Sequence, residues 1–100
     1  MSPKELEAGK HWVEQRFTEI ADELTVPVTL APQARWSEPS TTGMKYTHCM
    51  AYEVTAHGRH RRGEMTFRDV DLEDAGCGEK PTQGKLEKEI RRLLESFQSS

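Results

Sequence analysis

Residues 45–56 read KYTHCMAYEVTA, and the alternation in this stretch decides the fold. Successive side chains of a β-strand point to opposite faces, so residues of one parity share a face. One face of this stretch carries large apolar or aromatic side chains, namely Tyr46, Met50, Tyr52 and Val54. The other face is more polar and carries Thr47, Cys49, Glu53 and Thr55. The pattern predicts a strand with one buried face.

A second strand follows closely. The run EMTFRDV, residues 64–70, is also strand-like, and HGRHRRG, residues 57–63, separates it from the first strand. Two such runs joined by a short segment with glycines predict a β-hairpin. We therefore expect residues 57–63 to form the exposed connection of this hairpin.

A third strand is predicted earlier in the chain. In TVPVTLA, residues 25–31, Val26, Val28 and Leu30 lie on one side of an extended chain. Proline has no N–H to give to a neighbouring strand, so Pro27 places this strand at an edge of the sheet.

Two amphipathic helices flank the strands. Ser2, Pro3 and Glu5 form a helix start signal. An apolar stripe at helical spacing follows, with Leu6, Val13, Phe17, Ile20, Ala21 and Leu24. The last helix is expected from about Thr82 to Phe97, with a stripe of Leu86, Ile90, Leu93, Leu94 and Phe97. Between the last strand and this helix, glycines and a proline in DLEDAGCGEKPTQG, residues 71–84, predict a loop.

These elements predict an α+β fold in the order α-β-β-β-α. The two apolar helical stripes and the apolar face of the sheet all need to be covered. We therefore expect a two-layer sandwich, in which two helices pack on one face of a three-stranded antiparallel sheet. The length of 100 residues fits a single domain over residues 1–100.

The composition limits the function classes. Residues 1–10, MSPKELEAGK, contain no apolar signal core, and no run is long enough to span a membrane. We expect a cytoplasmic protein without membrane association, in which Cys49 and Cys77 stay reduced; in an oxidising compartment the alternative is a Cys49–Cys77 disulfide. The formal net charge of −3 disfavours broad nucleic-acid binding, because proteins that bind nucleic acid usually carry excess Lys and Arg.

The basic run is the main candidate binding site. Arg59, Arg61 and Arg62, with His60 between them, form a local basic segment in an acidic chain. Guanidinium groups bind carboxylates and phosphates. Arg35 and Trp36 lie in the turn-rich residues 32–43, where the indole either closes the core or anchors a partner. We predict a small non-enzymatic protein-interaction module, a regulator or inhibitor, that uses these residues.

Nucleic-acid binding is the alternative. The order of helix, three strands and helix is similar to that of the double-stranded-RNA-binding domain. The resemblance implies RNA contacts at the hairpin and at the start of the last helix. The residues concerned would be Arg59, Arg61, Arg62, Lys85 and Lys88. The lysine cluster and the run of small residues typical of that family are absent.

No metal, cofactor or catalytic site is predicted. The residues capable of binding zinc are His48, Cys49, His57, His60 and Cys77, but they show no zinc-binding spacing, and the neighbours His48 and Cys49 point to opposite faces. The acidic run from Asp69 fails the EF-hand template at Asp74 and Lys80. No recognised catalytic motif is present.

Overall fold

The computed structural model describes residues 3–32, 35–37, 47–56 and 58–98. The elements are α1 (Pro3–Glu23), β1 (Val28–Leu30), β2 (Thr47–Ala56), β3 (Arg59–Arg68), α2 (Asp69–Gly76) and α3 (Lys80–Gln98). The predicted α+β class and the order α-β-β-β-α are confirmed, with a short helix added before the last one. The described residues divide into two compact units, a helical one within residues 1–26 and 70–100 and a sheet within residues 27–69. The single domain over residues 1–100 stays a prediction.

The sheet is antiparallel, and its strand order is β1-β2-β3. β1 pairs with β2 through Val28↔Val54 and Leu30↔Tyr52, so β1 lies at an edge as predicted. Pro27 precedes β1, and its carbonyl oxygen accepts a hydrogen bond from the N–H of Thr55 at 3.0 Å. Pro27 therefore contributes a hydrogen-bond acceptor to the pairing with β2, although it has no N–H to donate.

The apolar face predicted for β2 is buried. Met50, Tyr52 and Val54 are each less than a tenth exposed, and His48 is buried on the same face. Tyr46, also predicted for this face, lies outside the described residues. On β3, Met65 and Phe67 are the register partners of Met50 and His48, and Phe67 is buried. Most of the buried side chains of the sheet thus lie on this one face.

The loop predicted for residues 71–84 is wrong. Asp69–Gly76 form α2, and α3 already begins at Lys80. Gly76, Gly78 and Pro81 mark helix ends and a close contact instead of irregular structure, and Gly84 lies inside α3. Gly78 has φ +85° between the two helices, a conformation that glycine adopts readily. Pro81 lies in the first turn of α3, where its missing N–H costs no helical hydrogen bond.

The helical unit is built from the predicted stripes. The buried members are Val13, Phe17, Ile20 and Ala21 on α1, and Leu86, Ile90 and Leu94 on α3. The remaining stripe residues are partly exposed. Ion pairs between α1 and α3 include Arg16–Glu87 at 2.9 Å and Glu23–Arg91 at 3.2 Å. Both pairs are solvent-accessible, so burial of the stripes supplies most of the stabilisation.

α1 and α2 approach each other closely at two glycines. A Cβ added at Gly9 would overlap the backbone carbonyl of Leu72, and one added at Gly76 would overlap the backbone of Glu5. Glycine at both positions permits this backbone-to-backbone contact. Gly9 lowers the intrinsic helix propensity of α1, and the packing against α2 explains its presence there.

Within the described ranges, no helix combines the length and apolar character that crossing a bilayer requires.

Candidate binding site on the outer edge of the sheet

The basic run lies on a strand and does not form the hairpin connection. β3 begins at Arg59, so the connection predicted for residues 57–63 is wrong. The register pairs Arg59 with Ala56, Arg61 with Val54 and Arg62 with Glu53. Only residues 57 and 58 separate the strands. Gly58 has φ +74°, which suits a tight turn, and His57 lies outside the described residues.

Gly63 explains why the strand can continue past the arginines. Gly63 is the register partner of Tyr52, and a Cβ at Gly63 would lie 2.5 Å from the Tyr52 ring. The ring therefore occupies the space that a side chain at residue 63 would fill. Burial raises the pKa of the Tyr52 phenol above its ordinary value. A glycine interpreted as a turn residue is thus a cross-strand packing position.

The arginines lie on both faces of β3. Because side chains alternate along a strand, Arg59 and Arg61 share the face of Val54, while His60 and Arg62 lie on the opposite face. All four side chains are exposed. Among the described residues, none forms an ion pair or hydrogen bond with the guanidinium group of Arg59, Arg61 or Arg62. These guanidinium groups are therefore available to a ligand.

His60 is held by its neighbours on β2. Its Nε2 lies 3.1 Å from Glu53 Oε1, and its Nδ1 lies 3.2 Å from Thr55 Oγ1. Arg62 is the register partner of the same Glu53. His60 thus differs from the arginines predicted with it, because its ring already has two partners.

The hydrogen bonds of β2 show which backbone groups of β3 face outward. Ala51 donates to Arg35 O and accepts from Ala31 N, and Thr55 donates to Pro27 O, so odd-numbered residues of β2 face the β1 side. Even-numbered residues of β2 then face β3, because the direction alternates along a strand.

The register between β2 and β3 shows which backbone groups of β3 bond to β2. Met50 pairs with Met65 and Val54 pairs with Arg61, so odd-numbered residues of β3 bond to β2. The backbone N–H and C=O groups on the outer edge are therefore those of His60, Arg62, Glu64 and Thr66. Among the described residues, no strand pairs with this edge.

Arg35 and Trp36 lie beside β2 and are engaged with the sheet. Residues 35–37 pair with β2 beyond β1, through a bridge between Trp36 and Met50. Arg35 Nε donates to Ala31 O at 2.9 Å. Trp36 is half-buried, and its ring centroid lies 6.0 Å from that of Phe67. These contacts favour the interpretation of Trp36 as a closure of the core.

A buried polar pair was missed by the sequence analysis. His48 Nε2 lies 3.2 Å from Asp69 Oδ1, and both side chains are buried. Asp69 is the first residue of α2, so the pair links the start of β2 to the start of that helix. The alternation of β2 already placed His48 on the face of Met50 and Tyr52, and this signal could have identified it as buried.

The cysteines and acidic residues form no reactive centre in the described parts of the chain. Cys49 Sγ lies 3.5 Å from Thr66 Oγ1. Desolvation and the carboxylates of Glu5, Asp74 and Glu73 raise the pKa of the Cys77 thiol, although this residue is exposed. The thiol therefore stays protonated near neutral pH. No group of three or more His, Cys, Asp or Glu among the described residues could hold a metal ion.

The lysines proposed for nucleic-acid binding lie on α3. Lys85 Nζ is 3.2 Å from Asp71 Oδ2, while Lys88 is exposed. A shallow groove of about 690 Å³ runs along this helix. It is lined by Lys80, Pro81, Gly84, Lys85, Lys88, Glu89, Arg91, Arg92 and Glu95.

The chain was also compared with known proteins. No family model, curated protein or solved structure matches it.

Proposed function

We propose that the protein is a small non-enzymatic interaction module that binds an acidic protein partner through β3. The observation that carries the proposal is the exposure of Arg59, Arg61 and Arg62 on a strand whose outer edge pairs with no other strand among the described residues. Arg35 and Trp36, the other predicted contact residues, would support this surface from the far side of β2, where they pair with that strand.

The charge of β3 supports an acidic partner. The strand RHRRGEMTFR carries four arginines and one glutamate, whereas the whole chain has a net charge of −3. A guanidinium group matches a carboxylate with two parallel hydrogen bonds, which gives such contacts both strength and direction. A local positive field on an acidic protein also favours the encounter with acidic surfaces and disfavours basic ones.

We propose further that the module acts as a regulator or inhibitor in the cytoplasm. Cys49 and Cys77 are both free thiols, as expected in a reducing compartment. A chain of this size inhibits most simply by covering a functional surface of its partner, and such action needs no catalytic group of its own.

Two variants with equal charge change test the proposal. Arg59, Arg61 and Arg62 are replaced by Ala in one variant, and Lys80, Lys88 and Arg92 of α3 in the other. Each variant loses three positive charges from exposed positions. We expect only the β3 variant to lose co-purification of the protein partner from the native extract. Retention of the partner by the β3 variant, with thermal stability unchanged in both, would exclude β3 as the binding surface.

Nucleic-acid binding is a second candidate. In that case Arg59, Arg61 and Arg62 would act with Lys85 and Lys88. The observation that favours it is the groove on α3, which Lys88 and Arg92 line with exposed side chains. The test is a titration with duplex RNA and duplex DNA at two salt concentrations, because phosphate contacts weaken steeply as salt rises. Absence of binding at low salt would eliminate this candidate.

A further inference from the structure

We infer that the partner binds by strand addition, as an extended acidic segment that pairs with the outer edge of β3. This inference rests on the proposed function and adds the binding mode and the chemistry of the bound segment. It depends on the backbone of the edge, on the positions of the arginines, and on the charge that the edge presents to a second copy of the chain.

The backbone of the edge is suited to pairing. His60, Arg62, Glu64 and Thr66 direct their N–H and C=O groups outward at every second position. An added strand would satisfy these groups with main-chain hydrogen bonds, as in other complexes formed at sheet edges. β3 has 10 residues, which is long enough to pair with a segment of several residues.

The arginine positions specify the sequence of the added segment. Arg61 and Arg62 are consecutive, so they point to opposite faces of the sheet. Residues directly opposite them on an added strand would also be consecutive, and their side chains would approach the arginines on both faces. The part of the segment next to residues 59–62 is therefore expected to be a continuous acidic run. The part next to residues 64–66 faces Glu64 and is expected to be neutral.

The same charges oppose pairing with a second copy. Two β3 strands placed edge to edge would bring four arginines from each chain together, against one glutamate from each. Like charges across neighbouring strands are destabilising, and charged side chains are a common means of protecting an exposed edge. The edge therefore disfavours self-association and favours an acidic strand.

The experiment uses the full-length protein and synthetic peptides with capped ends. Each peptide has a glutamate run at one end and alternating threonine and valine at the other, and the two orders test parallel and antiparallel addition. A peptide with lysines in place of the glutamates is the charge control. A glutamate peptide N-methylated at two adjacent central residues is the backbone control, since it keeps the charge but loses hydrogen-bonding groups on both of its edges.

We expect one glutamate peptide to bind and to slow amide hydrogen exchange at His60, Arg62, Glu64 and Thr66. N-methylation should weaken binding by about tenfold or more, because at least one backbone hydrogen bond is lost. The lysine peptide should not bind.

A pair of protein variants tests the same edge by changing the protein instead of the peptide. Thr66→Pro removes one outward N–H without changing the charge, and it leaves the backbone hydrogen bonds to β2 intact because the backbone of Thr66 faces the outer edge; the side-chain contact of Thr66 Oγ1 with Cys49 Sγ is lost in both Thr66→Pro and Thr66→Ala. Thr66→Ala is its control. We expect Thr66→Pro to weaken binding of the glutamate peptide by about tenfold and Thr66→Ala to change it little. If Thr66→Pro fails to fold, the N-methylated peptide still decides the question.

The outcomes separate the inference from the proposed function. Equal binding of the glutamate peptide with and without N-methylation would overturn strand addition and leave an acidic partner standing. Failure of every glutamate peptide to bind would overturn strand addition, and it would contradict the proposed function as well if the variant lacking Arg59, Arg61 and Arg62 also retained the protein partner. Dimerisation of the free protein through β3, measured by sedimentation, would show that a second copy of the chain pairs with this edge, and would overturn the inference of an acidic partner segment. Binding of duplex RNA that leaves exchange along β3 unchanged, with no peptide binding, would favour the nucleic-acid candidate instead.

Discussion

At Gly9, helix propensity and tertiary packing predict opposite effects of the same substitution. Alanine is a better helix former than glycine by about 1 kcal/mol, so α1 taken alone would gain stability from Gly9→Ala. The structure places the backbone of Leu72 where the new Cβ would lie. The overlap is between the new Cβ and the backbone of Leu72, and neither can rotate out of the way. The overlap could therefore be removed only if α1 and α2 moved apart.

We therefore expect Gly9→Ala to lower the free energy of unfolding by about 1–3 kcal/mol, the usual cost of overpacking. Gly84→Ala is the matched control, since Gly84 is also inside a helix but has nothing within 4 Å of an added Cβ. That variant should raise the free energy of unfolding by about 0.5–1 kcal/mol. Urea unfolding of both variants measures the difference. A Gly9→Ala variant as stable as Gly84→Ala would contradict the close contact between α1 and α2.

At the scale of elements, the alternation along β2 and the apolar stripes of α1 and α3 were sufficient to predict those three elements. They succeed because burial imposes a period on the sequence. β3 was predicted to begin too late and α2 was predicted as a loop, because glycine has more than one structural use. Gly63 leaves room for the Tyr52 ring and Gly76 permits contact with α1, and neither role is visible without the neighbouring element.

The β2–β3 hairpin gives a prediction about pH. Burial raises the pKa of the Tyr52 phenol above its ordinary value of 10.0. Well below pH 10.0, the phenol of Tyr52 is protonated and uncharged in both the folded and the unfolded state. Above it the unfolded state loses the proton first, so stability contributed by Tyr52 is lost as the pH rises through the folded-state pKa.

Tyr52→Phe removes this titration while keeping the ring beside Gly63. We expect the difference in unfolding free energy between the native protein and Tyr52→Phe to be constant below pH 10.0 and to shift against the native protein above it. Urea unfolding of both proteins on either side of that pH measures the difference. A difference that does not change with pH would show that the phenol is not buried.

At the scale of the whole molecule, the candidate site was identified from sequence by its charge but not by its geometry. The cluster of Arg59, Arg61 and Arg62 can be recognised directly in the sequence. Its place on an edge strand depends on the register with β2 and on the short turn at Gly58. The outward direction of particular backbone groups depends on hydrogen bonds that Pro27, Ala31 and Arg35 make on the other side of β2, which are long-range contacts.

The central claim is that the outer edge of β3 is open to a partner strand, and amide hydrogen exchange along β3 in the free protein tests it most directly. Fast exchange is expected at the outward positions His60, Arg62, Glu64 and Thr66. Slow exchange is expected at the positions bonded to β2, namely Arg61, Gly63, Met65 and Phe67. Comparable protection at both sets of residues would show that the edge is already covered, and would contradict the claim.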